Sequence, residues 1–132
     1  MWSVRKPSYG DQIRVNRGLY YHHGIYEDDN HVYQYASRDN NELDPSKALI
    51  ISTTLDEFLK GGVVEVRDYN SEELKKVRSK SDIVKCAKDH LNTGIGEYDL
   101  ISNNCEHFSN YCAFGEKVSN QVNDILNMLF GR

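Results

Sequence analysis

The 132 residues are the length of one domain with enough interior to bury a core. Hydrophobic residues at 39% and charged residues at 27% fit a soluble globular chain. A net charge of −4 and a pI near 5.7 exclude whole-surface electrostatic binding to nucleic acid. No apolar run approaches the ~20 residues of a membrane span, and no charged-then-apolar leader opens the sequence, so a secretory signal is not expected. Three cysteines without a framework spacing point to a reducing, cytoplasmic setting. The basic cluster Lys75, Lys76, Arg78, Lys80, Lys85 and Lys88 reads as a solvated helical face.

The first part of the chain is strand-like. Residues 12–16 alternate, with Ile13 and Val15 on one side, and Gly18 marks a turn. Residues 20–26 and 31–36 are rich in aromatic and β-branched side chains, and Glu27-Asp28-Asp29-Asn30 between them is turn chemistry, so the pair is expected to form a hairpin. Residues 40–46 form a polar loop and residues 48–52 a short apolar strand. Thr54-Leu55-Asp56-Glu57 has the form of a capping box, starting a short helix that stops at Gly61-Gly62. Residues 63–67 are the last strand. Ser71 and Ser81 are the expected caps of two further helices, and the second carries a stripe of Ile83, Val84, Ala87, His90 and Leu91. Asn103 or Asn104 caps a third, from Cys105 to about Phe114. After Gly115, Val118, Val122, Ile125, Leu126, Leu129 and Phe130 follow the spacing of one helical face. Strands first and helices after imply an α+β domain, an antiparallel sheet from the N-terminal half packed on C-terminal helices.

Chemistry concentrates at Asn103-Asn104-Cys105-Glu106-His107-Phe108. A thiol is a strong nucleophile as thiolate, and a helix N-terminus favours the thiolate. The strand His22-His23-Gly24-Ile25-Tyr26 supplies a histidine base, completing a Cys–His pair. Alternation puts His22, Gly24 and Tyr26 on one face and Tyr21, His23 and Ile25 on the other. With a three-residue loop, Gly24 faces Val32 and His22 faces Gln34, and Gly24 leaves room for a helix to approach. Cys105 is then the nucleophile, His22 the base and Gln34 the group that orients it. His23 is the alternative base, otherwise structural like His31. The N–H groups of Cys105 and its first-turn neighbours are candidates for an oxyanion hole, with Asn104 and Tyr20 as candidate oxyanion or substrate contacts. His107, about 200° round the helix from Cys105, points away from the thiol. Cys86 and Cys112 read as packing residues and His90 as a satisfied core histidine. No Cys-x-x-Cys or His-x-x-x-His pair supports a metal, so neither metal nor cofactor is expected.

Asn104-Cys105-Glu106-His107-Phe108 resembles the Asn-Cys-Glu-His-Phe motif of the lecithin:retinol acyltransferase-like family, which includes phospholipase A/acyltransferases and the H-box/NC proteins of some picornaviruses. Gly10-Asp11 and His22-x-Gly24-Ile25-Tyr26 match upstream, Phe114-Gly115 and Ser119-x-Gln121-Val122 downstream, so the resemblance spans about residues 8 to 126 of a single catalytic domain, 1–132. It implies a circularly permuted papain-like (NlpC-like) fold, in which the histidine strand precedes the cysteine helix. It also implies a cysteine attack on a glycerophospholipid ester, with the acyl group held as a thioester and passed to water, an amine or another lipid. Gln34 stands where the animal enzymes carry a histidine. Those enzymes also carry a hydrophobic anchor after the catalytic domain, about where this chain stops, and membrane-surface contact is part of the expectation. A thiol amidase or peptidase shares the thioester chemistry. A non-catalytic interaction module of the H-box/NC type is the reading from another class. Substrate, acceptor and oligomeric state are not legible in the residues.

Overall fold

A computed structural model describes residues 1–41, 44–99 and 103–115. It is an α+β arrangement in which six antiparallel strands form one sheet: β1 (Trp2–Val4), β2 (Gln12–Asn16), β3 (Tyr21–Asp28), β4 (His31–Ala36), β5 (Leu49–Thr53) and β6 (Val64–Arg67), in the order β1-β6-β2-β3-β4-β5. The helices are α1 (Leu55–Leu59), α2 (Ser71–Lys76), α3 (Lys80–Asp89) and α4 (Cys105–Phe114). The expected apolar helix after Gly115, and with it Ser119, Gln121 and Val122, lies outside the described residues. No helix among the described residues is long and apolar enough to cross a membrane.

Each face of the sheet has its own core. Ile13, Val15, Tyr26, Val32 and Val66 meet Phe58 of α1 on one face. On the other, Ile25, Tyr33, Tyr35 and Ile50 meet Ile83, Val84 and Ala87 of α3 and Phe108, Cys112 and Ala113 of α4. The period-two alternation of the central strands is therefore buried on both sides, which is why Tyr21–Asp28 reads as a nearly unbroken run of buried residues. Burying each of these large apolar side chains contributes roughly 1.5–3 kcal/mol.

The hairpin register differs from the expected one. Gly24 pairs with Gln34, Tyr26 with Val32 and Asp28 with His31. The turn holds only Asp29 and Asn30, tightened by the Asn30 N–H donating to Asp28 Oδ1 at 2.9 Å, and Glu27 is an extra residue absorbed as a bulge. Relative to a three-residue loop the strands shift by two residues. A shift of two preserves side-chain parity, so His22 and Gln34 still share a face although they are not directly opposed.

Two caps also move. Asn70, not Ser71, caps α2, and Ser79, not Ser81, caps α3. Asn70 and Ser79 have the extended backbone of a cap, Asn70 exchanging bonds with Glu73 and Ser79 accepting from the Asp82 N–H, whereas Ser71 and Ser81 already lie in the first turns of α2 and α3. The capping box at Thr54 and Glu57 forms as expected. The edge strand β1 was not expected, because three residues are too short to show alternation.

Gly24 marks a close approach by α1. A Cβ there would lie 2.8 Å from the Phe58 ring and 3.0 Å from the Tyr33 carbonyl. Gly24→Ala is expected to destabilise the fold by about 1–3 kcal/mol through overpacking, measured as a lower urea midpoint, and Phe58→Leu in the same chain should recover part of the loss.

Candidate active site

Cys105 is the first residue of α4. Asn104 precedes it as N-cap, its Oδ1 accepting from the N–H groups of Glu106 at 3.0 Å and His107 at 3.1 Å. His107 closes the box in return, its Nδ1 accepting from the Asn104 N–H at 3.0 Å. That bond defines His107 as part of the cap. Two of the first-turn donors considered for an oxyanion hole are thus committed to Asn104. The Cys105 sulfur lies at the positive end of the helix, 4.0 Å from the Tyr21 carbonyl, and the residue is only 4% exposed.

α4 is docked by a buried polar network. Gln12 Nε2 donates to Ser109 Oγ at 2.9 Å and to Asn110 Oδ1 at 3.0 Å. Arg67 donates to the same Asn110 oxygen at 2.7 Å, and the Tyr69 hydroxyl donates to Gln12 Oε1 at 2.8 Å. Gln12 pairs with Ile25 across β2 and β3, so the helix lies on the face that carries Ile25, His23 and Tyr21.

His23 is the histidine on that face. Its Nε2 lies 3.8 Å from a Glu106 carboxylate oxygen, beyond hydrogen-bond distance, and that buried atom has no hydrogen-bond partner among the described residues. Trp2 meets its ring edge-on at 5.5 Å, and the Arg14 guanidinium beside it stacks on Trp2 and Tyr21 at 4.4 and 3.8 Å. Burial, followed by the charges of His22, Arg14 and Arg67, holds His23 well below the ordinary 6.5. In the unfolded chain the same imidazole charges near 6.5. The unfolded state therefore binds more protons as pH falls through that value, and stability fully present above it is lost below, at up to about 1.4 kcal/mol per pH unit. Urea midpoints between about pH 7 and 5 read this slope. His23→Gln should flatten it; an unchanged slope would assign it to other groups.

His22 and Gln34 are brought together on the opposite face. His22 Nε2 and Gln34 Oε1 are 2.8 Å apart, and Gln34 Nε2 donates to Thr53 Oγ1 at 2.8 Å. Because the glutamine oxygen only accepts, His22 carries its proton on Nε2 in this pair. The imidazole stacks on Phe58 at 5.2 Å, and both His22 and Gln34 are essentially inaccessible. The close approach beside Gly24 is thus made by α1, while α4 lies on the other side of the sheet. Thr53 and Glu106 were not singled out from the sequence. The parity of β5, which puts Thr53, Ile51 and Leu49 on one side, was the available signal for the first; Glu106 carried none beyond its place beside Cys105.

The remaining candidates sit apart. Tyr20 is half-exposed in the bend before β3, its carbonyl accepting from the Arg17 N–H at 2.9 Å. His31 is exposed and paired with Asp28 at 2.8 Å. His90 ends α3, its Nδ1 bonded to the Cys86 carbonyl at 2.7 Å. Lys75, Lys80 and Lys85 are spent on Glu72, Asp11 and Asp89.

The lecithin retinol acyltransferase family matches residues 5–118. The chain is 26% identical over 133 residues to lecithin retinol acyltransferase of Mus musculus, covering 86% of this chain and 57% of that protein. It is 29% identical over 132 residues to the Homo sapiens protein of the same name, covering 85% and 56%. It is 30% identical over 126 residues to phospholipase A and acyltransferase 1 of Rattus norvegicus, covering 89% and 74%. The chain thus spans a little over half the length of the lecithin retinol acyltransferases it matches. With the family match running from before β2 to beyond α4, the chain belongs to the lecithin retinol acyltransferase family.

Proposed function

We propose that this chain is a cysteine-dependent acyltransferase or phospholipase A-like hydrolase working through a thioester on Cys105. One observation carries the reading: the sulfur stands at the first residue of a capped helix, where the helix field favours its thiolate. The names of the relatives, acyltransferase and phospholipase A, agree with it. The Cys105 sulfur attacks an ester carbonyl of a glycerophospholipid, the lysolipid oxygen leaves with a proton from the base, and water, an amine or a lipid hydroxyl then takes the acyl group. Asn104, through its amide nitrogen, and Tyr20, from the half-exposed bend before β3, complete the proposal as oxyanion or substrate contacts. The permuted papain-like arrangement and a reducing, cytoplasmic setting belong to the same proposal.

The base in this reading is His22, oriented by Gln34, which Thr53 in turn holds. The histidine motif and the Nε2–H tautomer, with Nδ1 as the basic nitrogen, support it. It requires the His22 imidazole to reach the Cys105 sulfur while keeping its bond to Gln34. A second reading takes His23 as the base. It is favoured by the face His23 already shares with α4, by its neutral state at pH 7 and by its Nε2, which has no partner among the described residues.

The test is incubation with a fluorescent phosphatidylcholine and, separately, with small peptides. Acyl mass on Cys105 in intact-protein spectra, absent from Cys105→Ala, supports lipid acyl transfer. Turnover of peptides alone moves the activity to the amidase class. A thiol of ordinary reactivity towards iodoacetamide with no adduct from either substrate favours the non-catalytic interaction module.

A further inference from the structure

The other two cysteines meet at the contact between α3 and α4. Both are free thiols, and their surroundings are unequal. Cys112 is fully buried in the core, while Cys86 is half-buried on the side of α3 that borders a surface cavity of about 330 Å³ with Arg78, Asp82, Lys85, Asp89 and His90. Cys86 packs against the core cluster that holds Cys112, and the Cys112 thiol and the Arg78 guanidinium lie near enough to its sulfur to act on its acidity. His90 Nδ1 lies 3.9 Å from the same sulfur. Arg78 and His90 are themselves seated against the Tyr111 ring of α4, at 5.9 and 5.5 Å. One sulfur is thus reachable, with Arg78 and His90 beside it and Asp82 and Asp89 on the same cavity. The other is sealed, with the first as its neighbour. Among the described residues no group of three histidine, cysteine or acidic side chains is arranged to hold a metal ion, so the pair stands as a dithiol.

We propose that Cys86 and Cys112 are a peroxide-sensitive thiol pair, Cys86 being the sulfur that is oxidised first and Cys112 the one that resolves it into a disulfide tying α3 to α4. The Cys86 thiolate attacks one oxygen of a hydroperoxide; an S–O bond forms, the O–O bond breaks, and the leaving hydroxide or alkoxide takes a proton from solvent. The Cys112 sulfur then attacks the sulfenic sulfur; the S–S bond forms, the S–O bond breaks, and hydroxide departs as water with the Cys112 proton. Two thiols lose two electrons and the peroxide bond gains them. The acidities agree with this order of roles. The neighbouring Cys112 thiol, then His90 and Arg78, bring Cys86 down to about 6 against the effect of burial, while the Cys86 sulfur and burial push the Cys112 thiol up. Cys112 lies two helical turns from Cys105, so the bridge would restrain the helix that opens with the proposed nucleophile.

The test uses the full chain with Cys105→Ala, so that its outcome is independent of the acyl-transfer reading. Stoichiometric hydrogen peroxide should remove two hydrogens from the intact mass, dithiothreitol should restore them, and a non-reducing digest should contain the Cys86–Cys112 peptide pair. Adding Cys112→Ser should leave Cys86 with one extra oxygen that dimedone traps. In the unoxidised chain, iodoacetamide at neutral pH should label Cys86 about tenfold or more faster than Cys112. Two thiols that survive peroxide sufficient to oxidise an exposed cysteine peptide, or bridges only between molecules, would overturn the proposal. The peptide map of the unsubstituted chain decides the same question if the variants are poorly folded.

Discussion

Cys105→Ser is expected to lower acyl-enzyme formation by on the order of 10⁴-fold or more while leaving the unfolding midpoint nearly unchanged. Serine has almost the shape of cysteine, so the buried N-terminal turn of α4 and its Asn104 cap survive. The hydroxyl, however, ionises far less readily than the thiol. The helix field is worth only about 0.3–1 kcal/mol at such a site, and the Glu106 carboxylate next in sequence works against it. That modest help suffices for a thiol that needs a small shift to become thiolate, and not for an alkoxide. Single-turnover acylation by a fluorescent phosphatidylcholine, followed by intact mass, measures the difference. A serine variant within tenfold of the parent would remove Cys105 from the chemistry.

Replacing the base histidine is expected to reduce Cys105 alkylation and acylation by about 10²–10⁴-fold. His22→Gln and His23→Gln should share this loss unequally, because only one imidazole exchanges the proton. Glutamine is preferred to alanine at position 22. It keeps volume against Phe58 and a partner for Gln34, whose loss would leave a buried polar group unsatisfied at about 1–3 kcal/mol. If His22 is the base, His22→Gln carries the loss, and Gln34→Ala costs less because an orienting group only positions the ring. If His23 is the base, His23→Gln carries the loss. The acid slope of stability flattens in His23→Gln under either assignment, so the rate alone separates the histidines. Equal residual rates in both variants would defeat either assignment.

Much of the architecture was legible in the residues. Alternation in Gln12–Asn16 and His31–Ala36, the Thr54 and Glu57 box, and the polar start of Cys105–Phe114 each encode a local preference that the fold keeps. The edge strand Trp2–Val4 escaped notice because its stabilising partner, Val64–Arg67, lies some sixty residues away. The two caps differ because Asn70 and Ser79, one and two positions earlier than the expected serines, are where the backbone turns from extended to helical. The hairpin register erred by two because a bulge at Glu27 has no sequence signature in a run of acidic turn residues.

Within the candidate site, parity along the chain was enough to put His22 with Gln34 and to separate both from His23, since alternation is a property of the strand alone. Which of the two sheet faces receives the Cys105 helix is not a local property. It is decided by long-range partners, Gln12 with Ser109 and Asn110 on one face and Phe58 over Gly24 on the other, and these exist only once the strands and helices are assembled.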